Sequence, residues 1–330
     1  MIRAAPALFV TTYIGFGDLL YHTPLIRRLS RDFSQLHVWV KNPDPFLNNR
    51  DISKLFKVTR DNLFIPTHFF GRNFFMLKRI GIRHECCHVI DLVSLGTLGI
   101  QLKHDERELE FSPGRGAFER IHGLLKRHGV EPFKYVVIAP AAGWPSRTLS
   151  SAFYSELVRM LVDRGLRVVV IGKDIDPKDI GGDSESILSN ERKSVVKGPW
   201  LSDCVDLTNQ LSLHEAAALF ELARYTVIGE IGTFPLASAT DCPIVYLPQL
   251  IPPEFRLPWR RGTLGYGVEV VRRDEPYVGS NYWAPAFSLA DVPLWTPDVN
   301  EIARSCDRIE KWIEVEGWNW RQTRESWQRA

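Results

Sequence analysis

A chain of 330 residues with 45% hydrophobic and 24% charged side chains carries material for one large domain or two ordinary ones, which excludes a disordered tail, a collagen-like fibre and a disulfide scaffold. Its 41 Lys and Arg stand against 39 Asp and Glu, a net charge of +2, so there is no broad basic field for coating nucleic acid and only a local basic groove stays open. Five cysteines, odd in number and scattered (Cys86, Cys87, Cys204, Cys242, Cys306), are the usage of a reducing compartment.

The first residues run into a Gly-rich turn where a signal peptide would place a small-residue cleavage site. No stretch approaches the roughly 18 apolar residues of a membrane span. The expectation is a soluble, cytoplasmic protein. Ala7 to Tyr13 reads as a strand, Gly15-Phe16-Gly17 as a tight turn, and Asp18 to about Arg31 as a helix. Pro24 must sit in that helix's first turns or kink it. Leu36–Val40 alternates as a half-buried strand, and His88–Val93 reads as a further strand. Residues 43–80 resist assignment.

The second half has a cleaner rhythm. A helix is expected over Arg115–Arg127. Strands follow at Tyr135–Pro140, Arg167–Gly172, Tyr225–Gly229 and Pro243–Leu247, with helices at Ser151–Arg164, Leu213–Ala223 and Phe234–Thr240. Alternating β and α units with short turns predict parallel, doubly wound sheets. Two Rossmann-like halves then meet around 112–134, with Ser112-Pro113-Gly114 as a break, and a last helix covers about Val299–Glu316. The pattern between Pro248 and Pro297 is irregular.

Three turns could carry chemistry, each at a strand end and helix start, where backbone N–H groups and the helix dipole favour an anion. The first is Gly15-Phe16-Gly17-Asp18, although an Asp there is equally an ordinary cap. It lacks the Lys of a phosphate-binding P-loop and the third glycine of a dinucleotide fingerprint. The second is Ala141-Ala142-Gly143-Trp144-Pro145-Ser146-Arg147, whose Arg147 could clamp a phosphate or simply occupy the surface. The third is Gly229-Glu230-Ile231-Gly232-Thr233, whose N–H groups and Thr233 hydroxyl could hold a second phosphate, or whose Glu230 and Thr233 merely cap the helix. His84, Cys86, Cys87 and His88 fit no standard zinc spacing. Asp174 and Asp176 read as a solvated turn before a metal pair.

Together these pieces resemble glycosyltransferase family 9, the lipopolysaccharide heptosyltransferase group. Gly15-x-Gly17-Asp18-Leu19-Leu20 with Thr23-Pro24-Leu25 is similar to its N-terminal signature, and Ile138–Ala142 with Arg147, Phe153 and Leu157 to its central block. Asp206-Leu207-Thr208, Leu213-His214-Glu215 and Val227–Gly232 resemble its donor block. The resemblance implies an α/β fold of two Rossmann-like domains facing a cleft, the GT-B architecture. It divides the chain into an acceptor-side domain over 1–130, a nucleotide-sugar domain over 131–298, and a helix over 299–330 packing back on the first.

It also implies an inverting, metal-independent glycosyltransferase that uses a nucleotide-diphosphate sugar and no cofactor. Asp18 matches the catalytic base. Gly17, Ala142, Gly143, Arg147, Glu230, Gly232 and Thr233 fall on the donor and phosphate side. His22, Arg260 and Arg261 are the expected acceptor contacts, the last two in an aromatic and basic stretch, Phe255 to Arg261, that is either exposed to an anionic acceptor or an ordinary loop packed by Trp259. The implied acceptor is a lipopolysaccharide or other lipid-linked glycan at the inner face of a membrane. A hydroxymethylated base in DNA is the alternative acceptor, and a non-catalytic nucleotide-sugar-binding or assembly protein the alternative of another class.

Arg147 stands where the family carries Lys. Glu230, Ile231 and Pro235 stand where it carries Asp, Ser or Thr, and His. These departures mean a donor other than ADP-heptose, a different acceptor, or an inactive relative.

Overall fold

The computed structural model describes residues 6–11, 15–57, 87–140, 149–173, 198–249, 251–274, 277 and 295–329, without the side chains of 10, 11 and 317–329. The chain divides into two compact units, Met1–Ser112 with Pro253–Tyr266, and Pro113–Pro252 with Gly267–Ala330.

Among the described residues the first unit has three parallel strands in the order β1 (Ala7–Thr11), β2 (Leu36–Val40) and β3 (Lys54–Lys57). Between β1 and β2 run α1 (Phe16–Leu20) and α2 (Thr23–Asp32), the one helix of the sequence reading broken in two. α2 buries Leu25, Ile26 and Leu29. Its other face holds Arg27 against Glu110 (3.4 Å) and Arg31 against Glu106 (3.0 Å).

His88–Val93 is not a strand. α3 (Val89–Leu98) begins there, with His88 as its N-cap, and Gly99 closes it at φ 67° by accepting the left-handed conformation. The apolar Val89, Ile90, Leu92 and Val93 fit either period, and the run's continuation to the stop signal at Gly99 decides for helix. The returning segment 253–266 adds the short hairpin β9 (Trp259–Arg260) and β10 (Thr263–Leu264).

The second unit opens with α4 (Arg115–Arg127), then β4 (Tyr135–Ile138), α5 (Ser151–Asp163), β5 (Arg167–Val170) and β6 (Val205–Asp206). α6 (Leu213–Leu222), β7 (Tyr225–Gly229), α7 (Thr233–Ser238), β8 (Ile244–Leu247), β11 (Val268–Val270) and α8 (Val299–Arg329) complete it. α4 lies on this side of the division because Ile121, Leu124 and Leu125 are buried where it packs against α6, and Arg120 bridges Glu215.

All six strands are parallel, in the order β11-β8-β7-β4-β5-β6. Counted along this unit, that is 3-2-1-4-5-6 read from the other edge, the order of the Rossmann sheet. β4, β5, β7 and β8 are near-continuous Val, Ile, Tyr and Leu runs because both faces are covered. α8 extends beyond the predicted Glu316. Its Ile302, Cys306, Ile309 and Ile313 join the core formed by α5 and the sheet. Trp318, Trp320 and Trp327 have side chains outside the described set. No helix among the described residues is long and apolar enough to cross a membrane.

Candidate functional site

Asp18 lies one turn into α1, beyond the carboxyl end of β1, and is half-buried. Its neighbours Leu19, Leu20 and Tyr21 are almost wholly buried, so a single helical turn is anchored by three side chains while Asp18 itself stays half-buried. Gly15 is the N-cap, and Leu19 N–H donates to its carbonyl at 3.1 Å. The carboxylate folds back towards it: a methyl on Gly15 would stand 3.0 Å from Asp18 Oδ2. Gly17 is buried within the same turn.

The turn ends because Pro24 has no N–H for the Leu20 carbonyl. The Thr23 hydroxyl takes its place, donating to Leu20 O at 2.8 Å, and itself accepts from Glu110 N–H at 3.0 Å. His22, expected to meet the acceptor, is only 2% exposed. Its Nδ1–H donates to the Asp18 carbonyl at 2.9 Å, and burial holds its pKa down at about 4.

In the second unit, strand order reverses between β4 and β7, whose Ile138 and Val227 are paired. The carboxyl ends flanking such a reversal are where open α/β sheets bind ligands. The two donor-side turns of the sequence reading follow these two strands. Ala142, Gly143 and Arg147 come after β4 and lie outside the described residues. Glu230, Gly232 and Thr233 come directly after β7.

Gly232 is exposed and is the N-cap of α7. Thr233 is half-buried, and its Oγ1 has no hydrogen-bond partner among the described residues. Glu230 is fully buried. It caps no helix; its Oε2 accepts from Ile251 N–H at 3.0 Å, fastening the chain after β8 to the turn after β7.

Of the two readings of Phe255 to Arg261, the loop packed by Trp259 is the one found, and the exposed stretch is not. Phe255, Arg256, Leu257, Trp259 and Arg260 are buried, because Trp259 lies against His104 with ring centres 4.6 Å apart and under the Arg107 guanidinium at 5.1 Å. Arg260 Nη1 points to Tyr266 O at 3.5 Å. Arg261 alone of the two arginines is exposed, at the hairpin tip with φ 50°, and it donates to the Tyr266 hydroxyl at 3.2 Å.

His88 is no metal ligand: Ile90 N–H donates to its Nδ1 (3.2 Å) and its Nε2–H donates to Leu257 O (2.9 Å). Both ring nitrogens are thus engaged, and burial keeps the ring neutral with a pKa of about 4. His84, Cys86, Asp174 and Asp176 lie outside the described residues. The reading from sequence missed the parts of Gly15 and Thr23. The signals were a glycine three residues before an acid and a hydroxyl directly before a proline.

Residues 91–266 match the family described as glycosyltransferase family 9 (heptosyltransferase). The fold is similar to a family 9 glycosyl transferase from Veillonella parvula, at 12% identity and TM-score 0.60, covering 93% of this chain and 97% of that one. It is similar to the ADP-heptose lipopolysaccharide heptosyltransferase II of E. coli, at 13% identity and TM-score 0.57, covering 94% and 100%. TibC of enterotoxigenic E. coli, a dodecameric, iron-containing glycosyltransferase, shares 18% identity at TM-score 0.59, covering 94% of this chain and 77% of TibC. No curated protein matches the sequence.

Proposed function

The chain belongs to glycosyltransferase family 9 and is a glycosyltransferase of the GT-B class, and on that premise we propose that it moves a sugar from a nucleotide-diphosphate donor to a hydroxyl of a lipopolysaccharide or related lipid-linked glycan, with Asp18 as the general base. The observation that carries the assignment of the base is the placement of Asp18: a half-buried carboxylate on an anchored single turn beyond a parallel strand's carboxyl end.

In the proposed reaction the acceptor hydroxyl gives its proton to Asp18 as its oxygen attacks the anomeric carbon. The bond from that carbon to the diphosphate breaks on the opposite face, so one displacement inverts the configuration. The nucleoside diphosphate leaves with the bonding electrons. Its charge needs N–H donors and a cation in place. The Gly232–Thr233 turn after β7 and Arg147 after β4 are the groups we assign to that task, with Ala142 and Gly143 allowing close approach. Arginine supplies a fixed positive fork, so the proposed reaction runs without a divalent metal. In this reading Glu230 braces the donor turn through Ile251. An acceptor embedded in a lipid layer places the enzyme at the cytoplasmic face of a membrane, and exposed Arg261 is the acceptor contact we retain.

The test is a thermal-shift screen of the full chain against ADP-, UDP-, GDP-, CDP- and TDP-linked sugars in EDTA. A ligand that binds only the folded state at about 100 times its Kd adds roughly 2.7 kcal/mol. One nucleotide is expected to raise the melting temperature saturably. Asp18→Asn should keep that shift and lose turnover. Absence of any shift in a folded protein would remove the proposed donor site.

A further inference from the structure

We propose that His22 is a positioning residue for Asp18: its ring N–H replaces the backbone N–H that a continuous helix would supply to the Asp18 carbonyl, and so fixes the turn that aims the carboxylate. The inference rests on Asp18 being the base.

In an unbroken α-helix the Asp18 carbonyl would accept from His22 N–H and the Leu20 carbonyl from residue 24. The chain departs from that pattern here. His22 N–H goes instead to Leu19 O at 3.0 Å, a tighter closure, and residue 24 is proline. The break sets the carbonyls of Asp18 and Leu20 beside two side chains that have almost no exposure, His22 at 2% and Thr23 at 0%.

Both are answered by the side chains at the break: His22 Nδ1–H donates to Asp18 O at 2.9 Å, and the Thr23 hydroxyl to Leu20 O at 2.8 Å. A carbonyl only accepts, so Nδ1 carries the proton. Burial keeps the ring uncharged; it therefore acts on Asp18 through geometry, with no positive charge beside the carboxylate. The ring is held in turn against Phe9 of β1, centres 6.0 Å apart, which ties the turn to the strand it follows. Thr23 fixes the end of α1 and His22 fixes the residue that bears the acid.

The measurement is nucleoside-diphosphate release from ADP-heptose with a heptose-free lipopolysaccharide acceptor, on the full chain carrying His22→Leu, His22→Asn or Asp18→Asn. Leucine fills the space and donates nothing; the asparagine amide puts an N–H close to where Nδ1–H stands. His22→Leu is expected to lower kcat about 10- to 100-fold, the scale of a misplaced catalytic group, with KM for ADP-heptose changed by less than about twofold. His22→Asn should restore kcat to within about threefold of the wild type.

His22→Leu with wild-type kcat, or His22→Asn as slow as His22→Leu, overturns the proposal. If His22→Leu does not fold, His22→Asn decides: the proposal requires a folded enzyme near wild-type rate, and a folded one slowed tenfold or more sinks it. Asp18→Asn separates the two layers. Wild-type turnover there removes the base and the inference with it; lost turnover there with an unaffected His22→Leu removes only the inference.

Discussion

Gly15 has φ −65° and ψ 123°, a conformation open to any residue, so what the position requires is space. The Asp18 carboxylate crowds the volume a side chain would take, with Oδ2 only 3.0 Å from where the methyl of an alanine would stand. Gly15→Ala should therefore leave the fold intact and move the acid, lowering kcat by about tenfold. Steady-state rates with an unchanged melting temperature would show it; an unchanged kcat would mean the carboxylate tolerates the shift.

The two buried histidines set the acid limit of stability. His22 and His88 both drop from the ordinary 6.5 to about 4 because burial disfavours their charged forms. Between those values the unfolded chain binds protons that the folded chain refuses, so unfolding free energy rises with pH across that window and is level above it. By pH 5 each ring costs roughly 2 kcal/mol relative to pH 7.5. Urea midpoints at the two pH values should differ accordingly, and His22→Asn should remove about half of the difference. An equal dependence in that variant would show that other groups govern it.

Among the elements, the strands of the second unit were readable because each is an apolar run bounded by turns, and Leu36–Val40 because it alternates. Lys54–Lys57 and Val268–Val270 were not: one is mostly exposed and the other half-buried, with charges inside both runs, so neither period stands out. The strand-to-helix turn that carries Asp18 was legible from the glycines before it. The burial of His22 was not: Pro24 allows either a helix start or a kink, and nothing in the spacing says which forms or that the ring then lies inside.

The last helix shows which contacts hold an element. Arg224 Nε donates to both oxygens of Glu310 at 2.7 and 2.8 Å, and Arg308 meets Glu269 at 2.7 Å. These groups are a quarter to a half exposed, so solvent takes back most of the Coulomb energy and Arg224→Met should cost about 1 kcal/mol. Ile309, 1% exposed in the core, should cost about 3 kcal/mol when cut to Ala. Urea denaturation of both variants tests the ranking, and a larger loss from Arg224→Met would reverse it.

For the whole molecule the decisive fact is connectivity. The chain leaves the second unit after Pro252, completes the first unit with Pro253–Tyr266, and returns to supply β11 and α8. The returning segment is part of the first unit's interior. Phe255, Leu257 and Trp259 are buried in it, the His88 ring donates to Leu257 O, and Glu108 Oε1 accepts from Gly262 N–H at 3.2 Å. Without that segment, α3 loses the partner of its N-cap and Arg107 loses the indole it covers at 5.1 Å. Residues 1–112 alone should therefore fail to fold, while the same residues joined to 253–266 by a flexible Gly/Ser linker should recover cooperative unfolding. In the full chain Trp259→Ala should cost about 3–5 kcal/mol, the range for an aromatic removed from a core. Circular dichroism against urea reads all three. A cooperative transition in residues 1–112 by themselves would mean that the segment decorates a unit already complete, and the unit's core would then have to be sought in β1–β3 and α1–α3 alone.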